Sequence, residues 1–332
     1  MLNQSLLLFD TVQTLNDNQW TRPALASCYT LKWIGGYLCL VFIFGIFLNG
    51  IILYTLLKKS HSQTPVDIFM IVLSSADLSH GLFGIPLSMT SNLACRWLYG
   101  KYPCYFEGFM AYFVGMIGLY ILTALSLNRY WMIVTSAKFK YINSQTAHIS
   151  IVIAILGSFF WAIAPVFGWN DYTLEGVLTS CSIHWQDRTI NVVSYNIMMF
   201  TFAYIIPLCI MLYCNTKIYL HVHCVSKQTM SWKKFATLNR TRRKYKIEQR
   251  VAKSIFLIII TFVVSWTPYA IVVFISSFLS PTLISPLGAT LPAIFAKSSI
   301  YFNPLVYILT NSQFHLTFIG QKKKTLKISG RY

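Results

Sequence analysis

A chain of 332 residues that is 55% apolar, 16% aromatic and only 11% charged carries more hydrocarbon than a water-soluble domain can bury. The formal net charge is +18, yet the Lys and Arg residues lie between and after apolar runs rather than on one soluble face, which speaks against nucleic acid and for lipid headgroups. With a mean hydropathy of +0.56, the composition suits one polytopic bundle with short loops and no second domain.

Residues 1–33 read as an extracellular tail. They lack a basic start followed by a clean apolar core, so no cleavable signal peptide is expected. Asn3-Gln4-Ser5 is a glycosylation sequon, usable at Asn3 if this end is outside. Seven apolar stretches follow, at about 34–57, 66–92, 104–135, 148–168, 192–220, 250–278 and 287–309, each close to the roughly 20 residues a membrane-spanning helix needs. Pro86, Pro165, Pro207, Pro268 and Pro304 fall inside them, tolerable where neighbouring helices satisfy the freed carbonyls. The predicted fold is an all-α membrane protein, a seven-helix bundle over 34–310 with a cytoplasmic tail over 311–332.

Charge sets the orientation. Lys58, Lys59, Lys138, Lys140, the run from Lys227 to Arg250 and the tail from Lys322 to Arg331 share one side, whereas the other has only Arg22, Lys32, Arg96, Lys101 and Arg188. By the positive-inside rule the N-terminus is outside. Cys104 and Cys181 then lie on the oxidising face, where a disulfide can pin the third span to the second outer loop. Cys28 and Cys95 also fall outside, and a second bridge or two unpaired thiols remain equal alternatives. No cysteine spacing suggests a metal.

Lys297 lies near the middle of the seventh span, too deep to snorkel easily. A central charge there costs about 2.5–3.5 kcal/mol on insertion scales, so such residues are rare and usually functional. Burial favours the neutral amine in lysines generally, the form that attacks an aldehyde. Two carboxylates are candidate partners. Glu107 follows Cys104 by three residues and faces inward a turn below it, and Glu175 precedes Cys181 in the outer loop. Asp77 is another acid inside a span, with Asn49, Ser299 and Asn303 in spans expected to pack beside it. A sodium-binding cavity and a plain hydrogen-bonded network account for it equally.

Gly45 through Asn49-Gly50, Ala76-Asp77, Cys104, Asn128-Arg129-Tyr130, Trp161, Pro207, Trp266-Thr267-Pro268-Tyr269 and Asn303-Pro304-Leu305-Val306-Tyr307 occur one set per span. In this order they resemble the rhodopsin-like G-protein-coupled receptors over nearly the whole chain. Phe295-Ala296-Lys297-Ser298-Ser299, with Asn303 six residues after the lysine, is similar to the opsin signature, and Glu175-Gly176 with Thr179 to Ser182 and Trp185 resembles the opsin lid loop. The subgroup looks closest to non-visual or invertebrate opsins such as peropsin-like or xenopsin-like pigments.

The resemblance implies a light sensor, not an enzyme, that carries retinal (11-cis or all-trans) as a Schiff base on Lys297. Glu107 and Glu175 are both counterion positions in the family, which leaves the working one open. It implies pocket walls at Trp266, Tyr269, Phe109, Met116 and Ala293. A G-protein switch at Asn128, Arg129, Tyr130, Glu248, Asn303, Pro304 and Tyr307 follows from it, as does a sodium or polar network at Asp77, Asn49 and Ser299. Partners would be a heterotrimeric G protein, arrestin and membrane lipids at the plasma membrane, and Asn311-Ser312-Gln313-Phe314 resembles the start of a short amphipathic eighth helix.

Three departures stand out. Asn128 replaces the acid that in the family forms a local salt bridge with the arginine at Arg129, which leaves Glu248 as the expected clamp across spans three and six; Asn215 replaces a tyrosine; and no cysteine follows the start of the eighth helix. Asn128, Asn215 and the short tail keep a retinal photoisomerase of retinochrome type as the alternative. An amine or peptide receptor leaves Lys297 unexplained.

Overall fold

The computed structural model describes residues 20–59, 63–135, 144–231 and 238–310, with side chains at 225–248 outside that description. Asn3, the eighth helix with the basic tail, and the clamp from Glu248 to Arg129 therefore lie outside the described residues.

Helix α1 (Cys28–Lys58) begins where the Ser27 hydroxyl accepts from the Thr30 N–H, six residues before the apolar run that announces it. The second segment opens with Pro65 at the first helical position and a reciprocal Thr64–Asp67 capping box, and Lys59 pairs with Asp67 at 3.0 Å. It is two helices, α2 (Pro65–Phe83) and α3 (Ile85–Leu93). Pro86 has no N–H to give the preceding turn, and the chain breaks at Gly84, where any Cβ would collide with the His80 imidazole. Helix α4 (Lys101–Ile133) crosses the centre, and α5 (Ser144–Ile163) ends in a short 3-10 turn at Pro165 that stops at Gly168, φ +92°.

The second outer loop folds as a two-stranded antiparallel hairpin, β1 (Tyr172–Glu175) and β2 (Ser180–Ile183), which the sequence reading did not foresee. The fifth segment, α6 (Ile190–Phe200) and α7 (Ile206–Ser231), carries a π-helical turn at Thr201–Ile205 just before Pro207. Helix α8 (Leu238–Phe274) contains Pro268 and ends in a second π-helical turn, Ile275–Leu279. Helix α9 (Pro286–Lys297) stops at Ser298, and α10 (Ser299–Thr310) follows. Among the described residues, six segments are long and apolar enough to cross a membrane in their own right. The seventh spans 286–310 only as two 12-residue helices.

Side chains such as Phe47, Ile153, Leu156, Leu212 and Leu309 stand exposed on the outside of the bundle, as expected where lipid is the solvent. Inside, one apolar cluster around Phe69, Leu122, Leu125, Ile258 and Phe262 fills one half. An aromatic cluster around Tyr112, Trp161, Tyr172, Tyr195 and Tyr269 fills the half beneath the hairpin.

The seventh segment depends on the first. Pro304 cannot donate to the Ile300 carbonyl four residues back, and Asn49 Nδ2 takes that oxygen at 2.7 Å while also donating to Gly45 O at 2.9 Å. Gly45 lets α1 approach, since a Cβ there would lie 2.7 Å from Ile300 Cδ1. Asn49→Leu, which fills the space but donates nothing, should cost about 1–3 kcal/mol, read as a lower midpoint of thermal unfolding in detergent.

Candidate functional site

Four elements converge beneath the hairpin. The disulfide Cys104–Cys181, Cα atoms 5.4 Å apart, ties the top of α4 to β2, and Cys28–Cys95, 5.1 Å apart, ties the start of α1 to the end of the second segment. Both bridges form, which resolves the open alternative for Cys28 and Cys95. One helical turn below Cys104, Glu107 points inward and is fully buried. Its Oε1 lies 2.7 Å from Lys297 Nζ, and its Oε2 accepts the Cys181 backbone N–H at 3.0 Å. Lys297, 8% exposed, also donates to Ser88 Oγ at 3.3 Å from α3.

Glu175 takes a different set of partners. Its Oε2 accepts from the Tyr269 hydroxyl at 3.0 Å, and its Oε1 from the Ser180 hydroxyl at 3.3 Å, the residue directly opposite it in the hairpin register. Ser182, two residues on and so on the same face, lies 2.6 Å from the Tyr269 oxygen and 3.2 Å from that of Tyr112. Burial pushes the Glu175 carboxyl above the usual range, opposed by the Lys297 charge and the Tyr269 hydrogen bond and reinforced by the Glu107 charge.

Lys297 borders a cavity that Tyr112, Glu175, Trp266, Tyr269 and Ala293 also line. Tyr112, Gly115, Phe262, Trp266 and Tyr269 also bound a second, nearly wholly apolar lobe of about 570 Å³ that runs past Met116 to Met199, Phe200 and Ala203. Gly115 is what admits the indole, because a Cβ there would collide with the edge of the Trp266 ring. An apolar slot walled by aromatic rings, with a buried amine on its wall, suits a slender apolar aldehyde.

The profile of the 7 transmembrane receptor (rhodopsin family) matches residues 48–307. Rhodopsin of the octopus Enteroctopus dofleini is 30% identical over 85% of this chain and 63% of its own. Melanopsin of Phodopus sungorus is 28% identical over 86% of this chain and 63% of its own. The chain thus spans less than two thirds of the length of either relative. A crystal structure of squid rhodopsin superposes with a TM-score of 0.84 at 29% identity, covering 93% of this chain and 89% of that one. The chain belongs to the rhodopsin family of seven-transmembrane receptors, as an opsin.

In this opsin Trp266 donates from Nε1 to Ser299 Oγ at 3.2 Å and stacks on Phe262 with centroids 5.7 Å apart. Tyr269, Met116 and Ala293 line the two lobes. Phe109 does not. Two residues beyond Glu107, more than half a turn round the helix, it stacks on Phe113 at 5.5 Å and meets Phe159 of α5 at 6.1 Å. Asp77 borders the cavity beside Ser299, but Asn49 bonds backbone rather than the acid, and Asp77 Oδ2, Asn49 Oδ1 and Asn303 Oδ1 have no protein partner.

At the end away from the hairpin, Asn128 and Arg129 are buried, Arg129 Nη1 lies 3.8 Å from Met132 Sδ, and Tyr130 packs on Tyr213 at 5.9 Å. Pro304 and Tyr307 are buried on α10. Asn215 donates to Ser126 Oγ at 3.1 Å, joining α7 to α4.

Sequence reasoning missed Ser88, His80, Tyr112 and Ser182. His80 borders the cavity one turn above Asp77 and its spacing could have flagged it, whereas the break at Gly84 disrupts the helical count that would reach Ser88. Breaking the buried pair in the retinal-free protein by Glu107→Gln should cost about 3–5 kcal/mol of stability, and a second change, Lys297→Met, should recover much of it, because the penalty comes from an unpaired buried cation. Thermal unfolding of the two variants checks this.

Proposed function

We propose that this opsin is a light-sensing receptor of the plasma membrane that holds retinal covalently through Lys297 and activates a heterotrimeric G protein. The observation that carries the reading is the Lys297–Glu107 pair, 2.7 Å apart and closed off from solvent, with the lysine bordering an aromatic-walled slot. Retinal, when bound, supplies the absorption of light and a light-driven change of shape.

The chain's residues do the rest. Lys297 provides the nitrogen, and Glu107 holds a proton and positive charge at that atom, since an adjacent anion favours the charged form. The Cys181 N–H fixes the Glu107 carboxylate, so the disulfide-tied lid aims the counterion. Glu175, its carboxyl pushed up by burial and bonded to Tyr269 and Ser180, stands behind it as a second acid. Trp266, held between Gly115 and Ser299 just before Pro268, responds to motion in the slot and passes it to α8. Asp77, Asn49 and Asn303 turn unsatisfied oxygens toward water or a sodium ion, loosening the bundle there. A shift of α8 then exposes the surface around Arg129, Tyr130 and Tyr307 to the G protein and afterwards to arrestin, a population shift of the bundle driven by a local event. The extracellular N-terminus and the lipid contacts of the basic tail follow from the charge asymmetry.

The test is the pigment itself. Protein reconstituted with 11-cis retinal should absorb visible light, and Lys297→Ala should not. Glu107→Gln should move the band into the ultraviolet at neutral pH, and Glu175→Gln should leave it visible; the reverse pattern would exchange the two roles. Illumination should accelerate nucleotide exchange on a G protein. A pigment that forms with all-trans retinal, releases the 11-cis isomer and never stimulates exchange would make the chain a photoisomerase instead.

A further inference from the structure

The break in the seventh segment falls immediately after Lys297, and the first segment reaches it a second time. Ser298 is fully buried, and its backbone N–H is shared between the Ile294 and Phe295 carbonyls at 3.1 Å each. Its hydroxyl donates to the Ile294 carbonyl at 3.0 Å. That spends its only proton, so the Tyr37 hydroxyl, 2.8 Å away on α1, must be the donor to Ser298 Oγ. The Tyr37 oxygen in turn lies 3.4 Å from the hydroxyl of Tyr301, which is left to donate to it.

Tyr37 also bridges the break by packing. Its ring touches the apolar cluster of Ile34, Leu38 and Ile294 before the break, and that of Val41, Ile85 and Ile300 after it. Where a helix is interrupted, the rotation of one half against the other is no longer fixed by the backbone ladder and must be set from outside. Asn49 fixes the lower half through the Ile300 carbonyl. Next to Lys297, Ser298 takes one hydrogen bond from outside its own segment, and among the described side chains Tyr37 is the one that donates it.

We propose that Tyr37 is a positioning residue for the retinal linkage: by donating to Ser298 it sets the rotation of α9, and with it the distance from Lys297 Nζ to Glu107. The inference rests on Lys297 as the attachment site. Tyr37 touches neither the lysine nor the cavity and acts through Ser298.

The experiment compares Tyr37→Phe and Ser298→Ala, singly and together, in the full chain. With retinal bound, a looser pair stabilises the charge at the nitrogen less in the dark state, so each single variant should shift the visible band to longer wavelength. Each should also lose its colour to hydroxylamine in the dark about fivefold faster, the effect of one hydrogen bond. The double variant should match the singles rather than sum them. Without retinal, amide hydrogen exchange over residues 294–302 should quicken in both singles.

Spectra that superpose on the wild type, or shifts that add in the double variant, would overturn the proposal. If the wild type takes up no retinal, the attachment reading fails, and exchange in the retinal-free protein still decides whether Tyr37 holds the break. Should Tyr37→Phe not fold, Ser298→Ala carries the same test alone, since it removes the acceptor and leaves the phenol in place.

Discussion

Everything in this bundle is arranged around one ion pair. A lysine and a glutamate 2.7 Å apart and removed from water are a poor means of gaining stability, because desolvating two charges offsets most of their attraction and an apolar pair of similar volume would do as well. Retaining them makes physical sense where the charge itself is used. The surroundings are consistent with that. Each Glu107 oxygen has one strong partner, Lys297 on one side and the Cys181 N–H on the other, so the carboxylate has little freedom to turn away.

The amine is placed by a helix that is not continuous. Pro304 leaves the Ile300 carbonyl of the seventh segment without its ladder donor, and α1 supplies one through Asn49, while Tyr37 adds a side-chain hydrogen bond to Ser298 Oγ. The second segment repeats the theme, with Pro86 and Gly84 interrupting it and Ser88, just beyond, reaching Lys297. Interrupted helices cost backbone hydrogen bonds in a membrane, and they survive where neighbours supply the missing partners. Here both interruptions flank the same ammonium, so the irregular backbone is what brings Ser88 and Lys297 to one point.

Much of this was legible in the residues alone. Seven apolar runs, the charge asymmetry and Lys297 follow from residue type and spacing, because a lone cation within hydrocarbon has few structural explanations. Cys104 and Glu107 share a face at a separation of three, which a helix of 3.6 residues per turn fixes without any tertiary knowledge. Choosing between Glu107 and Glu175 needed the hairpin. Only its register puts Ser180 and Ser182 on the Glu175 side and turns the Cys181 N–H toward Glu107. Phe109 was misplaced because family resemblance does not report which way a ring turns when a neighbouring helix offers Phe159. The breaks at Gly84 and Ser298 were hidden as well, since a proline says that a ladder is interrupted but not at which residue the chain gives way.

The two carboxylates differ in what holds them, and that difference gives the site its direction. Glu107 is bound to the lid through backbone and disulfide, so it moves only if the lid moves. Glu175 is bound through hydroxyls of Tyr269, Ser180 and, one step on, Ser182 and Tyr112, groups that can reverse donor and acceptor at little cost. Tyr269 lies on the same helix as Trp266, with the rings 6.5 Å apart, so a displacement of that helix strains the Glu175 network before it reaches Glu107. On the proposed reading the fixed acid sets the resting charge, and the adaptable one registers movement of α8. A lid pinned to α4 at Cys104 meets the sixth segment through the Tyr269 phenol near the site and, further out, through Trp185 and Arg188 at Ser276 and Ser277, so α8 is coupled to the lid by hydrogen bonds and to α4 by a covalent bond.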